Sequence, residues 1–208
     1  FSQSEAGFTS KVNEHILHVE MNPTTYKLVK TIEKDLVYEG KNGGVILADT
    51  PIKLMQKVHQ LYSGTVKLED GTATTIDNSK GVFIKKKFQG KKIGIFYKFK
   101  EELKLLQSVF GEQLTIDLEE FNTTNKNIAL QIVSGREGIS LSKADYLVYF
   151  NIDFSATSYW QSRDRLTTKE RQTNDVYWIF SKGGLEDKIY KQVQDKKSFT
   201  TKHYERVS

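Results

Sequence analysis

The segment KKIGIFYKFKEELKLLQSVFG, from Lys91 to Gly111, joins a short apolar run to an amphipathic one. The run IGIFY contains no charged residue, as expected of a strand that is buried on both faces of a sheet. In the second half, apolar residues recur every three or four positions, which is the spacing of one helix face: Phe99, Leu103, Leu106 and Phe110. The segment therefore predicts one buried strand followed by one amphipathic helix.

The same alternation continues toward the end of the sequence. Further short apolar runs are LTI (114–116), IALQIV (128–133), YLVYF (146–150) and VYWIF (176–180). The acidic residues after LTI favour a helix start, and GGLEDKIYKQVQDKK carries Leu185, Ile189 and Val193 at the spacing of a helix. Strands that alternate with helices indicate a parallel sheet covered on both faces. The predicted fold class is therefore α/β, with three layers and a parallel central sheet.

The first eighty residues follow a different pattern. A strand is predicted in EHILHVEM, and two helices are predicted between Pro23 and Gly40 and between Pro51 and Gly64, with proline at each start and glycine at each end. Asp70-Gly71 is typical of a two-residue hairpin turn. We therefore expect a lead-in of residues 1–80, made of helices and a small hairpin that pack on the core, and a core domain of residues 81–208 that ends in a helix and a basic tail.

Composition narrows the classes of function. The 208 residues include 31 Lys+Arg and 26 Asp+Glu, and the net charge of +5 is a mild bias toward anionic partners. The absence of cysteine excludes disulfides and thiolate metal sites, and the four histidines lack the spacing of metal ligands, so we predict no metal site. No membrane span or signal-peptide pattern occurs, which favours a cytoplasmic protein. The sequence begins with Phe1, which suggests a piece of a longer polypeptide.

The turn SGREG, Ser134 to Gly138, directly follows the strand pattern IALQIV. It therefore lies at the carboxyl end of a parallel strand, where open α/β sheets bind ligands. Gly135 and Gly138 would let backbone N–H groups approach an anion, and Glu137 could accept hydrogen bonds from a ribose. A plain strand-to-helix turn would use glycine as well, and the residues of this turn leave both interpretations open.

A second charged segment, QSRDRLTTKERQ, extends from Gln161 to Gln172. A solvated helix face with internal salt bridges explains many such runs. Arginine forks on the loop side of a parallel sheet can also stabilise the γ-phosphate of ATP. Two such segments at the same end of one sheet favour a nucleotide site. Four basic residues belong to this segment: Arg163, Arg165, Lys169 and Arg171.

These segments resemble conserved motifs of the second RecA-like domain of Swi/Snf-like superfamily 2 helicases. The region from Ser134 to Arg165, with RQTNDVYWIF and GGLEDKIYKQV, is similar to motifs V and VI and the helix that trails them, and KKIGIFYKFKEELKLL resembles motif IV. The resemblance covers most of the chain and is closest in the part that begins near Ser134. The matching positions are Gly135, Gly138, Leu141, Ala144, Asp145, Asp153, Gln161, Asp164, Arg165 and Gln172.

The sequence departs from the family pattern in two places. The family's D-W-N-P is Asp153-Phe154-Ser155-Ala156 here, which keeps the aromatic position and loses the turn-forming pair. The second arginine of motif VI falls on Thr168, and one inserted residue is needed to reach Gln172. Either Lys169 or Arg171 could supply the missing charge.

The resemblance implies the C-terminal half of an ATP-dependent DNA helicase or translocase. Arg165 would be the arginine finger, Gln161 would orient it, and Arg171 is the candidate second arginine. Glu137, Gly138 and Gly135 would lie near the ribose or phosphates of ATP. The expected contacts with the DNA backbone, which are blind to base sequence, are Ser134, Gly135, Arg136 and Lys98.

Two ATPase motifs are missing from the sequence: G-x-x-x-x-G-K-[ST] and D-E-x-H. We therefore expect ATP and Mg²⁺ to be cofactors of a parent protein whose N-terminal RecA-like domain carries these motifs, and we expect this fragment to bind neither tightly. DNA and that N-terminal domain are the predicted partners, with no membrane. The compact spacing of motifs V and VI favours a bacterial or phage source, and hence the cytoplasm of a bacterial cell or a phage-infected host.

Other interpretations belong to different classes. The irregular motif VI would also suit a non-catalytic nucleic-acid-binding or regulatory module on a RecA-like fold, and an upstream phosphate loop would separate the two. A dinucleotide-binding enzyme is disfavoured because no glycine pattern follows the first strand of the sheet. The lysine-rich stretch IKKKFQGKK (84–92) predicts either an exposed lead-in to a strand or a basic patch.

Overall fold

A computed structural model describes residues 11–132, 141–155 and 173–205 of the chain. In chain order the elements are β1 (Lys11–Val19), α1 (Pro23–Asp35), β2 (Val37–Glu39), β3 (Val45–Leu47), α2 (Pro51–Tyr62), β4 (Thr65–Lys67), β5 (Ala73–Thr75), α3 (Ser79–Lys87), β6 (Ile93–Tyr97), α4 (Lys100–Phe110), a 3₁₀ turn (Gly111–Gln113), β7 (Leu114–Thr115), α5 (Leu118–Thr123), β8 (Asn127–Gln131), β9 (Tyr146–Tyr149), β10 (Thr173–Ser181) and α6 (Glu186–Glu205).

The central sheet has six strands in the order β1-β10-β9-β6-β8-β7. Every adjacent pair in it is parallel, so the carboxyl ends of all six strands lie along one edge. β6 lies between β8 and β9, with Phe96 paired to Leu130 on one side and Tyr149 on the other. The parallel sheet predicted from the apolar runs is confirmed.

Helices cover both faces of this sheet. Ile93 and Ile95 pack in one core with residues of α3 and α4, whereas Phe96 packs in a second core with Phe121 of α5 and Ile189 of α6. Burying each large apolar side chain contributes about 1.5–3 kcal/mol relative to leaving it exposed. This alternation produces the three layers that the sequence predicts, with α3 and α4 on one face and α5 and α6 on the other.

The lead-in has a small core of its own, built from α1, α2, β3 and β4 around Ile32 and Leu61. It also contributes β1, which pairs with β10 along nine residues at the edge of the central sheet. The boundary near residue 80 stays a prediction. The structure adds that a strand from the lead-in belongs to the sheet of the core.

Two boundaries in the lead-in differ from the sequence predictions. α1 ends at Asp35 and not near Gly40, because Leu36 adopts a left-handed conformation (φ 61°) that caps the helix and directs the chain into the hairpin of β2 and β3. The hairpin around Asp70-Gly71 has three loop residues instead of two, because Leu68 N–H still donates to the carbonyl of Thr72. Gly71 takes the left-handed position of such a loop (φ 88°).

The sequence patterns also missed α3. This helix has little amphipathic periodicity because Lys80 and Gly81 lie on its buried side with Ile84. A Cβ at Gly81 would lie 2.8 Å from a methyl group of Leu105, so the glycine allows α3 and α4 to pack closely. The first residues of IKKKFQGKK therefore end a helix, and the strand begins only at Ile93. None of the described helices is long and apolar enough to cross a bilayer.

Candidate functional site

The carboxyl edge of the sheet is where the predicted site residues should lie. Lys98, directly after β6, is within the described part of the chain. The structure describes the flanks of the other two segments, namely Ile132 after β8 and Asn151 to Ser155 after β9. The remaining predicted site residues lie outside the described residues: Ser134, Gly135, Arg136, Glu137, Gly138, Gln161, Arg165 and Arg171.

Lys98 connects the ends of three neighbouring strands. Its Nζ lies 3.3 Å from Oδ1 of Asp153 in the segment after β9. Its carbonyl accepts a hydrogen bond of 2.9 Å from Nε2 of Gln131, the last residue of β8. The Lys98 side chain keeps 23% of its surface exposed, so the ammonium is both paired and accessible to solvent.

Glu102, in the first turn of α4, connects the segments that follow β6 and β9. Its Oε1 accepts hydrogen bonds from the backbone N–H groups of Lys98 (2.8 Å) and Phe99 (3.1 Å), which have no carbonyl partner within the helix that they precede. Its Oε2 accepts a bond of 2.8 Å from Nδ2 of Asn151. The carboxyl group has no exposed surface, and this burial raises the pKa of Glu102 although its hydrogen bonds act in the opposite direction.

His59 reaches the same cluster from α2 of the lead-in. Its Nε2 lies 2.8 Å from Oδ1 of Asn151, and its ring meets the rings of Phe99 and Phe154 edge to face. Burial lowers the pKa of His59 to about 4, so the imidazole is neutral at pH 7. Because the Asn151 amide donates to Glu102 through Nδ2, its Oδ1 must accept, and the His59 tautomer therefore carries its proton on Nε2.

A second buried cluster lies at the ends of β9 and β10. The Nζ of Lys80 is 2.9 Å from Oε1 of Glu186 and donates to the carbonyl of Phe150 at 3.2 Å. The hydroxyl of Ser181, the last residue of β10, donates to the Glu186 carboxylate. This cluster fixes the starts of α3 and α6 against the sheet. Sequence patterns gave no signal for Lys80, Glu102 or Glu186, because their burial depends on contacts between distant elements.

Buried hydrogen bonds connect the segments of the chain at the described part of this edge. Hydrogen bonds inside the Glu102, Asn151 and His59 cluster satisfy its buried polar groups, and hence hold the segments that follow β6 and β9 in one arrangement. Within residues 11–132, 141–155 and 173–205, no three His, Cys, Asp or Glu side chains come together as metal ligands would.

Comparison with solved structures identifies the fold. The chain superimposes on the crystal structure of the C-terminal part of the Fun30 ATPase domain with a TM-score of 0.62 and 14% identity, covering 89% of this chain and 90% of that one. The chain has a RecA-like fold. The Sulfolobus solfataricus SWI2/SNF2 ATPase core domain gives a TM-score of 0.63 and 19% identity, covering 92% of this chain and 44% of that one. No family model matches the chain, and no curated protein matches it.

The share of each solved structure that the chain covers differs between the two comparisons. The chain spans less than half of the Sulfolobus core domain, but nearly the whole of the C-terminal part of the Fun30 ATPase domain. At these identities the likeness concerns the fold. The predicted three-layer RecA-like architecture is confirmed, and the roles predicted for individual residues remain predictions.

Proposed function

We propose that this chain is the C-terminal half of an ATP-dependent DNA helicase or translocase motor of the Swi/Snf type. The observation that carries the proposal is the position of Lys98 between Gln131 and Asp153. In the sequence, the segments that resemble motifs V and VI follow Gln131 and Asp153, and these two residues lie on either side of the motif IV lysine. The likeness to two ATPase domains supports the same conclusion.

The proposed division of labour follows from the motifs that the chain has and lacks. An N-terminal RecA-like domain of the parent protein supplies the phosphate loop and the acids that hold Mg²⁺. This half supplies Arg165 as the arginine finger, oriented by Gln161, with Arg171 as the second arginine. The ribose and phosphates of ATP lie near Gly135, Glu137 and Gly138. A bacterial or phage source and a cytoplasmic location belong to the same proposal.

DNA contacts in this proposal are directed at phosphates. Ser134, Gly135 and Arg136 would contact the backbone beside Lys98, and such contacts carry no information on base sequence. ATP binding would close the two RecA-like domains, and release would open them and move the DNA along their shared face. The buried cluster beneath Lys98 suits this role, because catalytic groups supplied across a domain cleft must be held within a fraction of an ångström.

The decisive experiment uses a polypeptide that joins this chain to its N-terminal RecA-like domain. Arg165→Ala should lower DNA-stimulated ATP hydrolysis by about 10³ to 10⁵ while DNA affinity stays unchanged, because a finger acts mainly on the transition state. Arg171→Ala and Lys169→Ala, measured in parallel, identify which residue supplies the second positive charge of motif VI. Normal turnover in Arg165→Ala and in Arg171→Ala would refute the catalytic role of this half and favour the non-catalytic nucleic-acid-binding module, for which the threonine at position 168 is the supporting observation.

A further inference from the structure

A groove of about 1170 Å³ opens at the amino edge of the sheet, opposite the edge that carries Lys98. Its walls are the ends of α3 and α4 and the residues that lead into β6, β8 and β9. The volume exceeds the range of about 300–1,000 Å³ that is typical of small-molecule sites, and the groove is open to solvent. Its shape therefore suits an extended ligand.

The groove is strongly cationic. Among the described residues, five lysines and two acids, Glu112 and Asp145, line it. Within the described parts of the chain, only one of the five lysines, Lys126, is paired with a carboxylate, that of Glu120. The five lining lysines are Lys85, Lys86, Lys91, Lys92 and Lys126.

The remaining four lysines keep their charge available. Lys85 donates to the carbonyl of Val109 at 3.0 Å, and Lys92 donates to the carbonyl of Thr124 at 2.8 Å. These neutral acceptors fix the ammonium groups without cancelling their charge. The side chains of Lys86 and Lys91 are exposed and make no hydrogen bond or ion pair with the described residues.

Crowding of positive charge is visible at Lys92. Burial and the neighbouring charge of Lys143 lower the pKa of Lys92, and the opposing effect of Asp145 is smaller. Lys143 itself donates to the carbonyl of Asn122 at 3.0 Å and remains exposed. Positive charges that outnumber the nearby acids produce a positive potential that an anion would relieve.

The other polar lining groups among the described residues are the hydroxyl of Ser108 and five neutral amides, at Asn78, Gln89, Gln113, Asn125 and Asn127. Amide groups can donate to phosphate oxygens or contact sugars, as they do in many protein–DNA interfaces. Lysine is a common phosphate ligand in proteins. The lining therefore suits phosphates that are spaced along a polymer.

We propose that this groove binds the phosphodiester backbone of a nucleic acid without regard to base sequence. The site goes beyond the proposed motor role, because it lies on the opposite edge of the sheet and requires no ATP. An acidic protein segment would also match the charge, and competition with a polyglutamate peptide distinguishes it from a nucleic acid.

The test measures binding of labelled duplex and single-stranded DNA to the 208-residue chain by fluorescence anisotropy, without ATP, at several salt concentrations. The variant Lys86→Glu/Lys91→Glu reverses two exposed groove charges, and Lys27→Glu/Lys30→Glu on α1 makes the same change in net charge elsewhere. We expect the groove variant to weaken binding at least about tenfold and to reduce the salt slope by about 2, because each lost phosphate contact removes about 0.9. The control should change affinity less than about twofold.

Amide chemical shifts of the labelled chain locate the contact. Shifts at Gly90, Lys91 and Asn127 on adding DNA support the proposal. Shifts confined to the edge of Lys98 and Asp153, or an equal loss of affinity in both double variants, would overturn it. Displacement of DNA from the groove by an equimolar polyglutamate peptide would refute the proposal that the ligand is a nucleic acid. Failure of the motor proposal is seen separately, in the ATP hydrolysis of Arg165→Ala.

Discussion

Lys80 and Glu186 form an ion pair from which solvent is excluded: Nζ lies 2.9 Å from Oε1, and neither side chain has exposed surface. The pair joins the first turn of α3 to the first turn of α6, which are separated in the sequence by five of the six strands of the central sheet. Two buried charges are tolerated here because Phe150 and Ser181 provide further hydrogen bonds. The arrangement fixes both helices at the carboxyl edge of the sheet.

Lys80→Met should destabilise the fold by about 3–5 kcal/mol, because it leaves the Glu186 charge buried without a partner. Lys182→Met is the matched control, since Lys182 pairs with Glu20 at 3.5 Å with 70% of its side chain exposed, and it should change stability by less than about 1 kcal/mol. Urea unfolding followed by circular dichroism measures both. The double variant Lys80→Met/Glu186→Gln should recover part of the lost stability. Equal losses of stability in Lys80→Met and in Lys182→Met would contradict the prediction.

His59 should make the fold sensitive to pH. Its pKa is about 4 in the folded protein against 6.5 when exposed, so the unfolded state binds the proton first and stability decreases as the pH falls from 6.5 toward 4. The full effect is about 3 kcal/mol. Because the pKa of Glu102 is raised in the folded protein, its contribution to stability decreases as the pH rises above 4.5. This contribution is present both in the wild type and in a variant without His59.

The measurement is therefore the difference in unfolding free energy between the wild type and His59→Gln at pH 7.5, 6 and 5. Glutamine can still donate to Asn151 but does not titrate. We expect the wild type to lose stability relative to the variant as the pH falls. A difference that stays constant over this range would show that His59 does not titrate on unfolding.

Gly64→Ala should disrupt the junction between α2 and β4. Gly64 has φ +90°, and a Cβ there would lie 1.9 Å from the carbonyl oxygen of Asp77, so the backbone itself must move. We expect a loss above about 2 kcal/mol. Gly71→Ala is the control, because its φ is +88° with nothing within 4 Å of the added Cβ, and it should cost only about 1–2 kcal/mol. Thermal unfolding of both variants compares the two costs.

Asp153→Asn should increase the affinity of the carboxyl edge for DNA severalfold if Lys98 contacts phosphates. The substitution removes the carboxylate partner of Lys98, 3.3 Å away, while it keeps the size of the side chain. Lys98→Ala should have the opposite effect on affinity. Anisotropy titrations with duplex DNA measure the change. They use the Lys86→Glu/Lys91→Glu background, in which DNA binding at the amino-edge groove is weakened. Identical affinities for Asp153→Asn and Lys98→Ala would count against a DNA contact at Lys98.

The 208-residue chain alone should hydrolyse no ATP and should bind ATP only weakly, because its sequence has no phosphate loop. Calorimetric titration with Mg²⁺-ATP and a phosphate-release assay with DNA provide the measurements. The matched control is the longer polypeptide that contains the N-terminal RecA-like domain. DNA-stimulated turnover by the isolated chain would refute its assignment as half of a motor.

The apolar runs of the core were sufficient to predict most of the fold. Strands such as IGIFY are buried on both faces of a parallel sheet, so their composition alone distinguishes them from surface segments. The helix after it is amphipathic because α4 packs one face on the sheet. The proline and glycine positions at Pro51 and Gly64 correctly bounded α2, because the backbone restrictions of these residues are local.

The sequence predicted less about the contacts of the site residues than about the fold. Motif patterns indicated Lys98 and its sheet edge, but not the pairing of Lys98 with Asp153 or the support from Glu102. Glu102 is one of two adjacent glutamates in α4, and only the fold buries this one against Asn151 while leaving Glu101 near the surface. Local sequence cannot distinguish the two, because burial is set by elements far away in the chain.

The sequence by itself determined the parallel α/β core, the positions of its strands and the segments that follow their carboxyl ends, because strand and helix periodicities and turn residues act over a few neighbouring positions. The tertiary structure alone decided that Lys80 and Glu186 are buried together, that His59 is held neutral, and that lysines from α3 and the β6 and β8 approaches line one groove. The physical reason is that burial and electrostatic fields depend on distance in space, and packing brings together residues that are far apart in the chain, such as Lys80 and Glu186, which are 106 positions apart.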